Sequence, residues 1–130
     1  MKRLFGVSLL ISFLFLLSMA ASAQTRVHFA RGATSAIITG SLNGFNSRRV
    51  YVIRVRRGQR LRVEQLGSTH PVSTTLEDPA GEDVSDMDAS CNSHKDVSPT
   101  RRGDYTLTVG ECRKADPWRG KFRLRIRITG

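Results

Sequence analysis

The stretch KFRLRIRIT at residues 121–129 decides the fold class of this chain. Its apolar residues alternate with basic ones and are Phe122, Leu124, Ile126 and Ile128. Successive side chains of a β-strand point to opposite faces, so this alternation predicts a strand with one face in a core and the other in water. We expect Arg123, Arg125 and Arg127 on the wet face, because burying unpaired guanidinium groups is strongly unfavourable.

Strand character recurs upstream of this segment. The clearest examples are residues 49–55, which are rich in β-branched and aromatic side chains, and residues 104–109, which alternate like the last strand. Further strands are predicted at residues 27–29, 36–42, 60–66 and 72–76. Glycine, proline and asparagine mark the turns between them, residues 81–98 read as a long polar loop, and no window shows helical periodicity. This spacing predicts an all-β fold, an antiparallel β-sandwich of roughly seven or eight strands.

The amino terminus carries the pattern of a secretory signal peptide at residues 1–23. Lys2 and Arg3 precede an almost wholly apolar run, and Ala21-Ser22-Ala23 forms an A-x-A cleavage site. An uncleaved membrane anchor is the alternative, but it needs roughly 20 apolar residues and the run is shorter. We therefore expect one mature domain at residues 24–130, located in the periplasm or secreted.

The charge balance narrows the class of partner. Without the leader the chain keeps 19 Lys and Arg against 11 acidic residues, a net charge of +8. Export would separate the chain from nucleic acid. The remaining classes of anionic partner are membrane surfaces, anionic envelope polymers and acidic pockets of other proteins. The arginines of residues 121–129 could join others from neighbouring segments in a basic plane with an anionic ligand, or they could form a solvated sheet face. The possible additions are Arg54, Arg56, Arg60 and Arg62.

The two cysteines, Cys91 and Cys112, both lie in the predicted mature part. An even number of cysteines in an oxidising compartment predicts one disulfide. Such a bond would tie the long polar loop to the loop that follows residue 109. A thiol nucleophile is the rival interpretation, but an exported free thiol rarely persists.

Catalytic and metal-binding patterns are missing from the sequence. The three histidines are scattered, and neither an H-E-x-x-H motif nor a G-x-S-x-G elbow occurs. The acidic residues between 77 and 88 invite a calcium site, but their spacing misses the twelve-residue calcium loop, and a solvated loop paired with arginines is the alternative. We therefore expect a protein that is not an enzyme and that needs no metal or cofactor.

A series of residues follows a distinctive order along the predicted mature chain. It comprises Val27-x-Phe29, Gly32, Ser35-Ala36, Gly40, Gly44, Tyr51, Gly58-Gln59 and Gly103-x-Tyr105-x-Leu107-x-Val109. This order resembles the bacterial periplasmic inhibitors of goose-type (g-type) lysozyme over nearly all of the chain after the leader. The later half also resembles the jelly-roll-like domain found C-terminal to secreted bacterial peptidases. The first resemblance implies a β-sandwich that blocks a muramidase cleft with its loops.

The resemblance also implies which residues contact the enzyme. The loop predicted at residues 111–120 holds Arg113, Trp118 and Arg119, and the turn after Gly44 holds Phe45, where the family usually has Tyr. On this interpretation the two arginines reach catalytic carboxylates and the two rings anchor the contact. The alternatives are that Trp118 caps the edge of the core and that Phe45 folds back over the sandwich end.

A second class of function also fits the sequence, a noncatalytic module that binds carbohydrate or the anionic envelope. Carbohydrate-binding modules usually present several exposed rings, whereas here only Phe45 and Trp118 are obvious candidates. The shortage of rings favours a protein partner, and g-type lysozyme is the partner that the family resemblance implies.

Overall fold

The predicted strands appear as eight strands in the computed structural model, which describes residues 23–67, 70–85, 91 and 94–130. They are β1 (Gln24–Arg26), β2 (Ser35–Asn43), β3 (Arg48–Val55), β4 (Arg60–Leu66), β5 (Val72–Glu77), β6 (Lys95–Val97), β7 (Gly103–Glu111) and β8 (Arg119–Thr129). The predicted all-β fold is confirmed. The predicted signal peptide lies outside the described residues except for Ala23.

The strands form two four-stranded sheets. Sheet 1 has the order β1-β3-β7-β5, and sheet 2 has the order β2-β8-β4-β6. Their pairings are antiparallel apart from that of β1 with β3, which is parallel. Within the described residues there is no helix long and apolar enough to span a lipid bilayer.

Two local predictions were wrong. The first strand is Gln24–Arg26 and not residues 27–29; Val27 instead follows the strand, buries its side chain in the core and donates its N–H to the carbonyl of Val52. The polar loop at residues 81–98 contains the short strand β6, which pairs with β4 at the edge of sheet 2. A three-residue edge strand is too short to show a periodic pattern in the sequence.

The core lies between the sheets and follows the alternation of the strands. Sheet 1 contributes Ile53, Leu76, Leu107 and Val109, and sheet 2 contributes Leu42, Leu61, Val63, Phe122, Leu124 and Ile126, all of them buried. Tyr51 and Phe122 meet edge to face across the two sheets, with ring centroids 6.5 Å apart. A Cβ on Gly40 would collide with both of these side chains, so the residue opposite Phe122 on β2 must be small.

The arginines of β8 lie on the outer face of sheet 2, as predicted. Arg123 and Arg127 are exposed, whereas Arg125 is half-buried and lies 3.3 Å from the Glu64 carboxylate on β4. Arg62 lies opposite Arg127, and its charge is offset by Asp96 on β6. Carboxylates thus intervene where cross-strand arginines would otherwise repel one another.

The basic plane suggested by the sequence is divided by the fold. Arg60 and Arg62 belong to sheet 2 beside β8, but Arg54 belongs to β3 of sheet 1 and Arg56 to the turn that follows it. The two groups of arginines therefore do not share one sheet face.

Candidate functional site

Strand direction brings all four candidate contact residues to one end of the sandwich. Asn43 at the end of β2 pairs with Arg119 at the start of β8, and Arg48 at the start of β3 pairs with Gly110 near the end of β7. The turn at residues 44–47 and the loop at residues 112–118 therefore emerge side by side. We call this region, residues 44–48 and 111–119, the loop end.

The turn of the loop end presents the Phe45 ring. Gly44 has a φ of +84°, a conformation that favours glycine, and its N–H donates to the carbonyl of Trp118 at 3.0 Å. The guanidinium of Arg48 donates to the carbonyl of Phe45 at 2.7 Å. The half-buried ring lies under Arg113, whose guanidinium carbon is 5.9 Å from the ring centroid. The structure thus joins two residues that the sequence could place only in separate loops.

Trp118 is tied to the sandwich by its own polar groups. Its backbone N–H donates to the Glu111 carboxylate at 2.7 Å, and its indole N–H donates to the carbonyl of Pro71 at 3.1 Å. One face of the indole stacks on His70, with centroids 4.7 Å apart, and the side chain packs partly buried against the core. Trp118 therefore caps the edge of the core while leaving part of its ring accessible.

Glu111 is the functional candidate that sequence reasoning missed. It is almost fully buried at the end of β7, and its second carboxylate oxygen has no hydrogen-bond partner among the described residues. Glu111 accepts a hydrogen bond from the backbone N–H of Trp118 and so links the two ends of the loop at residues 112–118. A single acidic residue beside a cysteine carries no sequence signal for such a role.

The predicted disulfide is confirmed and anchors the same loop. Cys91 and Cys112 are bonded, with their Cα atoms 5.7 Å apart. Cys112 is buried, and its N–H donates to the carbonyl of Pro71, the same oxygen that accepts from the Trp118 indole. The first residue after this anchor is Arg113, so its backbone is held at the root of the loop.

The two candidate arginines border different depressions. Arg113, Arg48 and Lys114 line one of about 280 Å³ that also reaches Cys91 and Glu111. Arg119 is the first residue of β8 and not a loop residue as predicted; with Arg49 and Lys121 it lines another of about 340 Å³. The loop end therefore presents exposed positive charge around a half-buried aromatic ring.

Acidic residues of the described chain mostly serve structural contacts. Asp78 is buried and accepts the backbone N–H groups of Ala80 and Glu82, while Asp83 accepts that of Ser85. Asp86 and Asp88, which belonged to the calcium interpretation, lie outside the described residues. In the described ranges no three His, Cys, Asp or Glu side chains are grouped to hold a metal ion.

Comparison with known proteins agrees with this architecture. No protein-family model and no curated protein sequence matches the chain. Among solved structures, it is similar to PliG of Aeromonas hydrophila, a periplasmic inhibitor of g-type lysozyme, with a TM-score of 0.64 and 20% identity over 82% of this chain and 96% of that one. PliG of Salmonella Typhimurium gives a TM-score of 0.59 and 23% identity over 82% and 97%.

A second kind of neighbour is the pre-peptidase C-terminal domain of a Bacillus anthracis collagenase. It gives a TM-score of 0.54 and 17% identity over 81% of this chain and 95% of that domain. Both resemblances drawn from the sequence are therefore confirmed at the level of the fold. The chain has the β-sandwich fold of the PliG inhibitors.

Proposed function

We propose that this chain is an exported, noncatalytic inhibitor of g-type lysozyme whose loop end blocks the active-site cleft. The observation that carries the proposal is the position of the Arg113 guanidinium over the Phe45 ring, in a turn that is hydrogen-bonded to Trp118. Arginine next to aromatic rings is the composition of an interface hot spot. Glycoside hydrolases commonly place two carboxylates at the scissile bond, and a guanidinium can engage such a group with paired hydrogen bonds.

The loop end is suited to binding because it is held in place before contact. The disulfide, the Glu111 carboxylate and the bond from Gly44 to Trp118 each restrain it. Restraint of this kind lowers the conformational entropy lost on association, so more of the contact energy appears as affinity. In this proposal Phe45 and the accessible part of Trp118 supply the apolar anchors, and Arg113 and Arg119 supply the charge.

The net charge of +8 on residues 24–130 opposes association with a basic enzyme. The contact of Arg113 with a carboxylate acts over a few ångströms, whereas salt screens exposed charges beyond roughly 8 Å. Local complementarity in the cleft therefore outweighs the remote repulsion. We expect inhibition to strengthen as ionic strength rises from low to physiological values, because the remote repulsion is screened first.

Carbohydrate binding is the weaker candidate. Carbohydrate-binding modules usually present several exposed aromatic rings, and here one face of Trp118 is covered by His70. Phe45 is half-buried under Arg113. Neither ring offers the open flat surface that a sugar requires.

Turbidity assays with lysozymes of three types test the proposal. Residues 24–130 should slow the lysis of cell walls by goose-type lysozyme and leave chicken-type and invertebrate-type enzymes active. Full activity of the goose-type enzyme at excess inhibitor would refute the assignment. Equal inhibition of all three would indicate that the chain coats the anionic cell-wall substrate instead of binding an enzyme.

A further inference from the structure

The end of the sandwich opposite the loop end contains a second concave site. β3 leaves the loop end at Arg48 and finishes at Val55, where it pairs with Gly103. A cavity of about 530 Å³ opens there, between the finish of β3, the last residues of β8 and the segment at residues 29–34. This volume lies in the range of small-molecule sites, roughly 300–1,000 Å³.

The lining of this cavity is amphipathic. Its apolar part includes Phe29, Val55 and Ile128, all of which belong to the core or pack against it. Its polar part includes three arginines, Arg54, Arg56 and Arg102, which are exposed. An apolar floor beside a basic rim is complementary to a ligand that has an anionic head and an apolar tail.

The charges of the rim are poorly compensated within the described chain. Arg54 lies 3.6 Å from the Asp104 carboxylate, but both oxygens of that carboxylate already accept from Arg26. Arg56 and Arg102 have no ion pair among the described residues. Guanidinium groups around one cavity repel one another, and an anion bound between them would relieve that repulsion.

The backbone around the cavity is fixed by hydrogen bonds. The N–H of Arg56 donates to the Gln59 side chain at 2.8 Å, and its carbonyl accepts from the Thr100 hydroxyl at 2.6 Å. The N–H of Ile128 donates to the carbonyl of Thr34 at 2.7 Å, which closes the opposite wall. The backbone positions that carry the floor and rim side chains are therefore fixed relative to one another, as a binding site requires.

We propose that this cavity binds a phosphate-bearing amphiphile, with the phosphate at the arginine rim and an apolar chain against Phe29 and Ile128. Arginine forks match phosphate oxygens through paired charge-assisted hydrogen bonds, and a phosphate offers more acceptor oxygens to several guanidinium groups than a carboxylate does. The site lies at the end away from the proposed enzyme contact, so it is independent of the inhibitory function and compatible with simultaneous binding.

Calorimetric titration of residues 24–130 with dihexanoyl phosphatidic acid, kept below its micelle concentration, tests this proposal. We expect saturable binding at one site and at least tenfold weaker binding of inorganic phosphate, because phosphate alone leaves the apolar floor unused. The double variant Arg56→Ala, Arg102→Ala should bind the lipid at least tenfold more weakly. Loss of even one charged hydrogen bond has about that effect.

The matched control is the double variant Lys121→Ala, Arg123→Ala. It removes the same net charge from exposed positions on the outer face of sheet 2, on the half of β8 that lies nearer the loop end and away from the cavity. Its affinity for the lipid should stay within about threefold of the wild type, since remote exposed charges are screened. Thermal unfolding of both variants verifies that each retains the fold.

Three results would overturn the proposal. Absence of lipid binding would show that the cavity is not a binding site for such amphiphiles. Equal affinity for lipid and inorganic phosphate would show that the apolar floor takes no part. Equal weakening in both double variants would assign the binding to overall charge and not to this cavity.

Discussion

At the scale of single residues, the guanidinium of Arg113 is the group on which the proposed inhibition depends most. Replacing Arg113 with alanine should weaken binding to goose-type lysozyme by about 2–5 kcal/mol, because it leaves a buried carboxylate of the enzyme unpaired. The loss should appear mainly as faster dissociation, measured by surface plasmon resonance with the immobilised enzyme.

Arg127→Ala provides the control for this experiment. Arg127 is exposed on the outer face of sheet 2, at the far end of β8 from the loop end. Its removal changes the net charge equally but should leave dissociation nearly unchanged. If both substitutions have the same effect, the general basic surface mediates binding and the proposed contact of Arg113 with a catalytic carboxylate is wrong.

Gly40 is a residue whose size alone matters. A Cβ there would meet the ring of Phe122 and the hydroxyl of Tyr51. Gly40→Ala should therefore lower the free energy of unfolding by about 1–3 kcal/mol through overpacking. Denaturant unfolding measures the change, and Thr39→Ala, at the exposed neighbouring position, should have little effect. An unchanged midpoint in Gly40→Ala would mean that the two sheets separate easily at this point.

At the scale of elements, ion pairs with carboxylates attach the two three-residue edge strands, β1 and β6, to their sheets. Asp104 on β7 accepts two hydrogen bonds from Arg26 on β1, at 3.1 and 3.2 Å. Asp96 on β6 accepts two from Arg60 on β4, at 2.9 and 2.6 Å. In each case the arginine hydrogen bond lowers the pKa of the carboxyl group below its ordinary value of 3.8.

These pKa shifts predict an acid dependence of stability. A carboxyl group whose pKa is lower in the folded state stabilises that state above its unfolded pKa, and this contribution disappears as the pH falls through the folded pKa. The contribution of these two carboxyl groups to the free energy of unfolding should therefore be constant above about pH 5 and should decline below about pH 4. The arginine partners keep their charge throughout this window.

Urea unfolding of the wild type and of Asp96→Asn, Asp104→Asn at several pH values measures this dependence. The double variant should be less stable at pH 7 and should approach the wild type as the pH falls, because the wild type then loses the same interactions. Because both carboxylates are partly exposed, the difference should be modest. Parallel curves for the two proteins at all pH values would contradict the assignment.

At the scale of the whole molecule, one disulfide bond connects Cys91 to Cys112 at the root of the loop at residues 112–118. A closed loop of this size contributes on the order of 3 kcal/mol in the chain-entropy model. Cys91→Ser should lower the free energy of unfolding by about 2–4 kcal/mol without abolishing the fold, because the core between the sheets does not include this bond.

Denaturant unfolding of the variant and of the oxidised wild type tests this expectation. Mass spectrometry of material isolated from the periplasm should show that the wild type is lighter by two hydrogen atoms than its reduced form. Two free thiols in that material would refute the disulfide in the exported protein. An unfolded variant at 25 °C would show that the sandwich depends on the bond for its existence.

Local pattern determined most of the sheet structure. The alternation around Leu124 and Ile126 predicted both the last strand and its buried face, because a period of two commits one face to the core whichever strands lie beside it. The same reasoning failed for β6, whose three residues are held by pairing with β4 and by the Asp96 ion pairs. Edge strands of that length form because they pair with a neighbouring strand, and they show no recognisable pattern in the sequence.

Tertiary structure alone decided how the candidate site is assembled. Phe45 and Arg113 are far apart in the sequence, and only the pairing of β3 with β7 and of β2 with β8 brings their loops together. Glu111 gained its role only because the fold buried it beside the backbone of Trp118. A sequence pattern reports which face of each strand is apolar, whereas contacts between loops depend on strand order, and strand order is set by how the two sheets pack.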